Sequence, residues 1–411
     1  MEQLTTRTAL FAGIAAFSGF LFGFDTVVIS GADKTLQELW HTSDLFHGGI
    51  VMSMALWGTV LGAVFGHLPT NYFGRKKSLL TIGVLFAISA FGTALAQDPW
   101  IFSIARFLGG LGIGVSTIAA PSYISEISPA RFRGRLVGLY QFNIVFGIVI
   151  AFLSNFILKD WGPNAWRYML GVQIIPSIIF AIACLFIPES ERWETAHQTI
   201  TSDRIFDAAY RKVLWLSFFV AFFNQLSGIN AFLYYAPRIF DLAGLNEKAA
   251  YLSSIGVGLV NLCFTILGVS LIDKVGRKTL MYIGGVGYVL SLGLVTASFH
   301  WHWNEDFVPY FFFLFIASHA IGQGTVIWVF ISELFPDHLR AAGQGFGSTV
   351  HWILAASIPA FIPFLFDQIG ASLVFAFFCL AMCLQLIWIR WFMPETKGKS
   401  MEEITSELSR S

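Results

Sequence analysis

A chain of 411 residues in which 56% of side chains are apolar and only 12% are charged has too little polar surface to cover a water-soluble fold of that size. Its 25 basic residues balance its 25 acidic ones, which excludes the basic surface that a nucleic-acid partner would need. The solvent for most of the exterior is therefore lipid, and the fold class predicted is an all-α membrane protein.

Crossing a hydrocarbon layer about 30 Å thick takes about 20 mostly uncharged helical residues. Such stretches run from Thr8 to Ser30, from Gly48 to Leu68 and onward to Cys379 through Phe392, twelve by count along the chain. The first follows directly on the N-terminus without a small-residue cleavage site, so it reads as a retained span and not a signal peptide. The 43 Phe, 13 Trp and 38 Gly suit lipid-facing and interfacial aromatics and close helix contacts. Cys184, Cys263, Cys379 and Cys383 all fall in apolar segments, as small packing residues without metal-ligand spacing.

Basic residues gather in alternate loops: Arg75, Lys76 and Lys77; Arg131, Arg133 and Arg135; Arg192, Arg204, Arg211 and Lys212; Lys274, Arg277 and Lys278; Arg340. The opposite loops hold Lys34, Lys159, Arg167, Arg238 and Lys248. The positive-inside rule then sets the first group and both termini in the cytoplasm, and compact loops point to a bacterial inner membrane.

Four patterns recur in order at an offset close to half the chain. Gly23-Phe24-Asp25 matches Gly228-Ile229-Asn230, and Phe73-Gly74-Arg75-Lys76 matches Val275-Gly276-Arg277-Lys278. Ser125-Glu126 through Pro129 with Arg133 matches Ser332-Glu333 through Pro336 with Arg340, and Pro188-Glu189-Ser190 matches Pro394-Glu395-Thr396. The domains expected are a six-helix half over 1–192, a short linker over 193–212, a second six-helix half over 213–393 and a tail over 394–411. Six crossings each give the halves the same orientation, as in a rocking carrier with a cleft between them. The Gly-Arg-Lys turns permit tight reversals, and their Arg can fork onto carboxylates. Arg75, Glu126, Arg133 and Glu189, with Arg277, Glu333, Arg340 and Glu395, are therefore candidate cytoplasmic latches. Plain anchoring at an anionic leaflet is the alternative reading of the same residues.

Along nearly its whole length the chain resembles the sugar porters of the major facilitator superfamily. The resemblance is carried by Gly23-Phe24-Asp25-Thr26, Asn71 through Lys76, Arg106-Phe107-Leu108-Gly109-Gly110, Pro121-Ser122-Tyr123 before Glu126, and Pro188 through Trp193. It continues through Gln225-Leu226-Ser227-Gly228-Ile229-Asn230, Asp273 through Lys278, and Pro394 through Gly398. It implies the major facilitator fold and a sugar site at Gln141, Asn224, Gln225, Asn230, Tyr234, Asn261, Trp328, His351 and Trp352. Side-chain chemistry agrees, since amides match hydroxyls that donate and accept, and an aromatic suits the apolar ring face of a sugar. Interhelical hydrogen bonding is the other use for amides at this depth. Asn224, Thr325, Ile327, His351 and Ala355 depart from the family pattern, which leaves the sugar's identity open. The linker also looks truncated against the family's longer helical segment.

Asp25 and Arg106 are the charges most clearly inside spans. Counted from the helix ends they lie at similar depth, roughly 8 to 9 Å from the outer edge at 1.5 Å per residue, so they can pair. A carboxylate beside Arg is kept ionised, and movement that breaks the pair lets it take up a proton. The resemblance implies proton coupling for members with Asp here; a structural ion pair is the other reading. His319 reads as a hydrogen-bonded packing residue, and His41, His47, His300 and His302 as outer-loop residues without metal spacing.

The function expected is a secondary active importer of a monosaccharide or polyol with a proton, working by alternating access as a monomer in the bilayer, with no cofactor and no metal. A facilitative uniporter and a non-transporting sugar sensor are the rivals. An enzyme is disfavoured because no nucleophile with a base, phosphate-cradling loop or metal cluster occurs.

Overall fold

The computed structural model describes residues 4–129, 132–191, 205–207, 210–336, 339–399 and 403. Most of the linker over 193–212 and of the tail over 394–411 lies outside them. Among the described residues all regular structure is helical, as hydrocarbon demands of a chain that must satisfy its own backbone.

The elements follow in chain order: α1 (Thr6–Val28), α2 (Asp33–Trp40), α3 (Met54–Phe65), α4 (His67–Tyr72), α5 (Arg75–Leu95), α6 (Pro99–Ile127), α7 (Arg133–Leu158), α8 (Ala165–Gly171) and α9 (Ile174–Phe186). After the linker come α10 (Arg211–Leu226), α11 (Ile229–Leu242), α12 (Glu247–Val275), α13 (Arg277–Trp301), α14 (Val308–Ile321), α15 (Gln323–Leu334) and α16 (Arg340–Trp391). Local chemistry sets several starts. Thr5 Oγ1 accepts from Thr8 N at 3.1 Å at the head of α1, and Asp98 accepts from Trp100 N and Ile101 N at 2.9 and 3.0 Å with Pro99 opening α6. Both are N-terminal devices that satisfy otherwise orphaned amides.

Among the described residues ten helices are long and apolar enough to cross a membrane, or eleven when Asp44–Met52 and Met54–Phe65, bent by 40°, count as one span. The last of them, Ala342–Trp391, has 50 residues. At 1.5 Å per residue that is about 75 Å, more than twice the hydrocarbon thickness. Gly370, at φ 81° and ψ 155°, breaks it, so it comprises two crossings and the expected twelve are reached. Helix α9 shows where lipid lies: Ile175, Ile178, Ile179, Ile182, Leu185 and Phe186 form an exposed apolar stripe, which only a hydrocarbon solvent accommodates at this length.

The chain divides into two compact units. Unit 1 comprises Met1–Thr199 with Leu233–Arg238 and Pro359–Phe361; unit 2 comprises Ile200–Phe232, Ile239–Ile358 and Ile362–Ser411. Short pieces of the second sequence half thus pack with the first. Within unit 1, α1 lies against α7 so closely that a Cβ on Gly23 would stand 1.8 Å from the Ile144 carbonyl oxygen. Small residues permit this approach, and dispersion across it holds helices together in lipid. Gly23→Val is expected to cost about 3 kcal/mol or more by overpacking, read as a fall in the thermal midpoint of the detergent-solubilised protein relative to Gly13→Val, whose site is open.

Candidate functional site

In unit 1 the Asp98 cap begins α6 two turns before Arg106, which sets that guanidinium against the end of α1. Arg106 Nη1 donates to Asp25 Oδ1 at 2.8 Å and Nη2 to the Asp25 carbonyl at 3.0 Å. Both residues are only 1% exposed. Gln173, between α8 and α9, is buried and donates to the Leu21 carbonyl at 3.3 Å, one turn before Asp25 on α1. Sequence reasoning passed over Gln173; the signal was an amide at membrane depth shortly after Trp166-Arg167-Tyr168. Tyr234 also belongs to unit 1. Its phenol is fully buried, has no hydrogen-bond partner among the described residues, and feels the charges of Arg106 and Asp25. Gln141 is half-buried on α7 of the same unit.

In unit 2 the seventh span is discontinuous. Gly228, at φ 82°, separates α10 from α11, and Ser227 satisfies backbone groups on both sides of the break, donating to the Asn224 carbonyl at 2.7 Å and accepting from Ile229 N at 3.3 Å. This brings together amides from the end of one helix and the start of the next. Gln225 Nε2 donates to Asn224 Oδ1 at 3.0 Å, and Asn230 Nδ2 donates to Gln225 Oε1 at 2.8 Å. The ring nitrogens of His351 stand 3.1 and 3.2 Å from Gln225 Nε2. His351 is flanked by Trp328, with ring centroids 5.1 Å apart, and by Trp352 at 4.9 Å. Asn261 on α12 is buried and accepts from Thr265 Oγ1 at 3.3 Å. His319 meets the Tyr288 hydroxyl through Nδ1 at 2.5 Å. Asn224, Gln225, Asn230, His351, Trp328 and Trp352 are thus one connected group, while Gln141 and Tyr234 belong to the other unit. Gln323, which opens α15, was also missed: it is 1% exposed, and neither atom of its amide has a partner among the described residues.

Such a group can present donors and acceptors beside two indoles, the complement of a polyhydroxylated ring. No group of three or more His, Cys, Asp or Glu able to hold a metal occurs among the described residues.

The Gly-Arg-Lys turns form two parallel constellations. In unit 1, Arg75 Nε donates to both oxygens of Glu126 at 3.1 Å, and Nη1 to the Thr70 carbonyl at 3.0 Å. Glu189 accepts from Arg75 N at 2.9 Å and from Lys76 N at 3.1 Å. In unit 2, Arg277 Nε and Nη2 fork onto Glu333 at 3.0 and 2.6 Å, and Nη1 donates to the Ile272 carbonyl at 3.1 Å. Glu395 accepts from Arg277 N at 2.9 Å and from Lys278 N at 3.0 Å. Each Glu after a Pro thereby closes the N-terminus of a helix, where a carboxylate is favoured by free amides and dipole. Gly276, at φ 100°, also lets Glu395 approach, since a Cβ there would lie 2.5 Å from its carboxylate. Arg133 is not joined to Glu126 in these contacts, and its Nε has no partner among the described residues. The side chain of Arg340 lies outside the described set.

A helical membrane fold with buried charge, a broken span lined by amides and paired charged turns defines a polytopic solute carrier. The family description "Sugar (and other) transporter" matches residues 11–206 and 194–408, and the chain belongs to this sugar porter family of the major facilitator superfamily; it is a transporter and not an enzyme. It is 35% identical to the arabinose-proton symporter of Bacillus subtilis over 95% of this chain and 92% of that one. It is 31% identical to the glucose transport protein of Synechocystis sp. over 96% of each. Among solved structures, a D-xylose-proton symporter superposes with a TM-score of 0.85 at 29% identity, over 95% of this chain and 99% of the other.

The fork between Arg277 and Glu333 is half-sheltered, at 9% and 29% exposure. Arg277→Ala is expected to lower stability by about 1–3 kcal/mol through the unmatched carboxylate. Arg277→Lys should recover less than half, because a point charge cannot reproduce the fork. Thermal unfolding of the two variants in detergent measures both.

Proposed function

We propose that the protein imports a monosaccharide or polyol together with a proton across a bacterial inner membrane, by alternating access and as a monomer. The observation that carries the reading is the pairing in unit 1 of a buried carboxylate, Asp25, with a single guanidinium, Arg106. A charge pair at membrane depth is costly and marks a functional residue by default. Ionised, Asp25 satisfies Arg106. Protonated, it no longer balances the guanidinium, and the local balance of charge then favours a different arrangement of α1 and α6. Proton occupancy and conformation are in this way linked. The relatives named as arabinose-proton and D-xylose-proton symporters support the coupling.

The sugar contacts proposed are Asn224, Gln225, Asn230, Asn261, Trp328, His351 and Trp352 of unit 2, with Gln141 and Tyr234. A neutral His351 ring can accept from Gln225 on one nitrogen and meet a sugar hydroxyl with the other. Arg75, Glu126 and Glu189, with Arg277, Glu333 and Glu395, are proposed as cytoplasmic latches whose fork-and-cap contacts favour closure of that side; Arg133 and Arg340 complete the proposed set. Facilitative uniport, in which the Asp25–Arg106 pair is purely structural, is the second reading.

Uptake of labelled D-xylose, L-arabinose, D-glucose and inositol into proteoliposomes tests the reading. Accumulation above equilibrium should require an inward proton gradient and vanish in Asp25→Asn while sugar exchange persists. Equilibration indifferent to the gradient would establish the uniporter, and saturable binding without flux would establish a sensor. Gln225→Ala removes contacts worth about 0.5–1.5 kcal/mol each, so Kd for the transported sugar should rise about tenfold, with a fall in the thermal midpoint as Asn224, Asn230 and His351 lose their partner.

A further inference from the structure

At the end of unit 1 opposite the Gly-Arg-Lys turns, two buried ionisable side chains meet a third that is partly exposed. Asp33, at the start of α2, is 1% exposed, and His47, in the π-helical turn His47–Met52, is fully buried. Asp33 Oδ1 lies 2.8 Å from His47 Nε2, and Oδ2 lies 2.7 Å from Nε of Arg238. Arg238 Nη2 also donates to Gln37 Oε1, and Gln37 Nε2 donates to Asp44 Oδ1 at 2.6 Å. The second ring nitrogen of His47 faces the Thr42 hydroxyl at 3.5 Å.

Arg238 belongs to the stretch Leu233–Arg238, which joins unit 1 although the rest of α11 belongs to unit 2. The helix kinks at Tyr235, two residues before Pro237. Tyr235 donates to the Pro359 carbonyl at 3.1 Å, so this stretch is attached to unit 1 by an ion pair and embraces a second short piece, Pro359–Phe361.

The charge balance is specific. With Arg238 in place, Asp33 is neutralised and a neutral His47 completes its shell by donating from Nε2. If the segment withdraws, Asp33 is left buried without a countercharge, an expensive state. A proton added to Nδ1 of His47 restores neutrality, with the Thr42 hydroxyl turning from donor to acceptor. The surrounding elements offer no competitor. Lys34, Glu38 and His41 of the same stretch are exposed, and Asp44 is bound to Gln37. Of the charged residues on α6, Arg106 is committed to Asp25 and Glu126 to Arg75. Helix α3 carries no ionisable side chain, Arg167 of α8 is bound to the Ala94 and Ala96 carbonyls, and besides Arg238 α11 carries the buried phenols of Tyr234 and Tyr235 and the exposed carboxylate of Asp241.

We propose that His47 and Asp33 form a second proton-binding site, loaded from the outer side when Arg238 withdraws with Leu233–Arg238 and emptied when Arg238 returns. The outer location rests on the membrane orientation proposed above. One proton taken up on detachment favours the detached state by at most tenfold per unit fall in pH.

The test needs no sugar, so failure of the carrier reading, seen as absence of uptake, is distinguishable from failure here. In a background with Cys184, Cys263, Cys379 and Cys383 changed to Ser, Ala236→Cys places a thiol at a fully buried position of the segment. Asn164→Cys, on an exposed loop, corrects for the pH dependence of the thiol reaction. Proteoliposomes are labelled from outside with a membrane-impermeant maleimide between pH 8 and 5.5. The corrected rate at 236 should rise severalfold as pH falls. It should be independent of pH in His47→Gln, and fast and independent of pH in Arg238→Gln, where the proton no longer distinguishes the two states. A flat profile in the parent, or a slope retained in His47→Gln or in Arg238→Gln, would overturn the proposal.

Discussion

Hydrocarbon offers no hydrogen-bonding partner, and that single constraint explains more of this molecule than any contact within it. Every polar group at membrane depth must find its partner on the chain itself or be costly. Helices meet the requirement for the backbone, which is why all described regular structure is helical. For side chains the solution is local pairing. Arg106 uses two of its nitrogens on Asp25, one on the carboxylate and one on the backbone carbonyl, so the guanidinium is matched in charge, while its Nε and the second carboxylate oxygen have no hydrogen-bond partner among the described residues. Close approach of α1 and α7 at Gly23 positions the end of α1 that carries Asp25.

The same constraint explains the break in the seventh span. A discontinuity frees backbone groups, and Ser227 takes up one on each side. What the break supplies in return is geometry: residues 224, 225 and 230 would lie on different faces of an unbroken helix, yet here they form one hydrogen-bonded chain. Their amides bond one another and His351, the kind of polar network whose members depend on one another for satisfaction.

Hydropathy and the internal repeat made the architecture legible, because a hydrocarbon solvent imposes length and polarity on each span. Two features escaped that logic. The last apolar stretch is one helical run broken only at Gly370, since a glycine with positive φ reverses direction without a polar loop. The assignment of Leu233–Arg238 to unit 1 escaped as well, because it depends on long-range packing that periodicity does not encode. At the site level, Asp25 and Arg106 could be matched by depth counting, and the Arg75 and Arg277 turns by repetition. Gln173 and Gln323 could not be singled out, because an amide inside a span carries no mark of which face it occupies. His47 read as a loop residue for a related reason: it opens a π-helical turn, His47–Met52, that buries a ring its polar neighbours would place in solvent.

The repeat is symmetric in its turns and asymmetric in its chemistry. Arg75 with Glu126 and Glu189 and Arg277 with Glu333 and Glu395 are near copies, each a fork plus a cap. The matching positions Asp25 and Asn230 have diverged, one into an ion pair in unit 1 and the other into an amide cluster in unit 2. Coupling a proton to a solute requires only that each favour the same conformational state, and the effect is then reciprocal. Helix α11 is the element with a share in both: Asn230 belongs to unit 2, and Tyr234, one turn on, belongs to unit 1 within the field of Asp25 and Arg106. A displacement of that turn on binding a solute at Asn230 would alter what the buried phenol presents to the carboxylate, and protonation of the carboxylate would alter the cost of the displacement. On the proposed reading the kink at Tyr235 and Pro237 is where sugar and proton would be linked, because α11 is divided there between the two compact units.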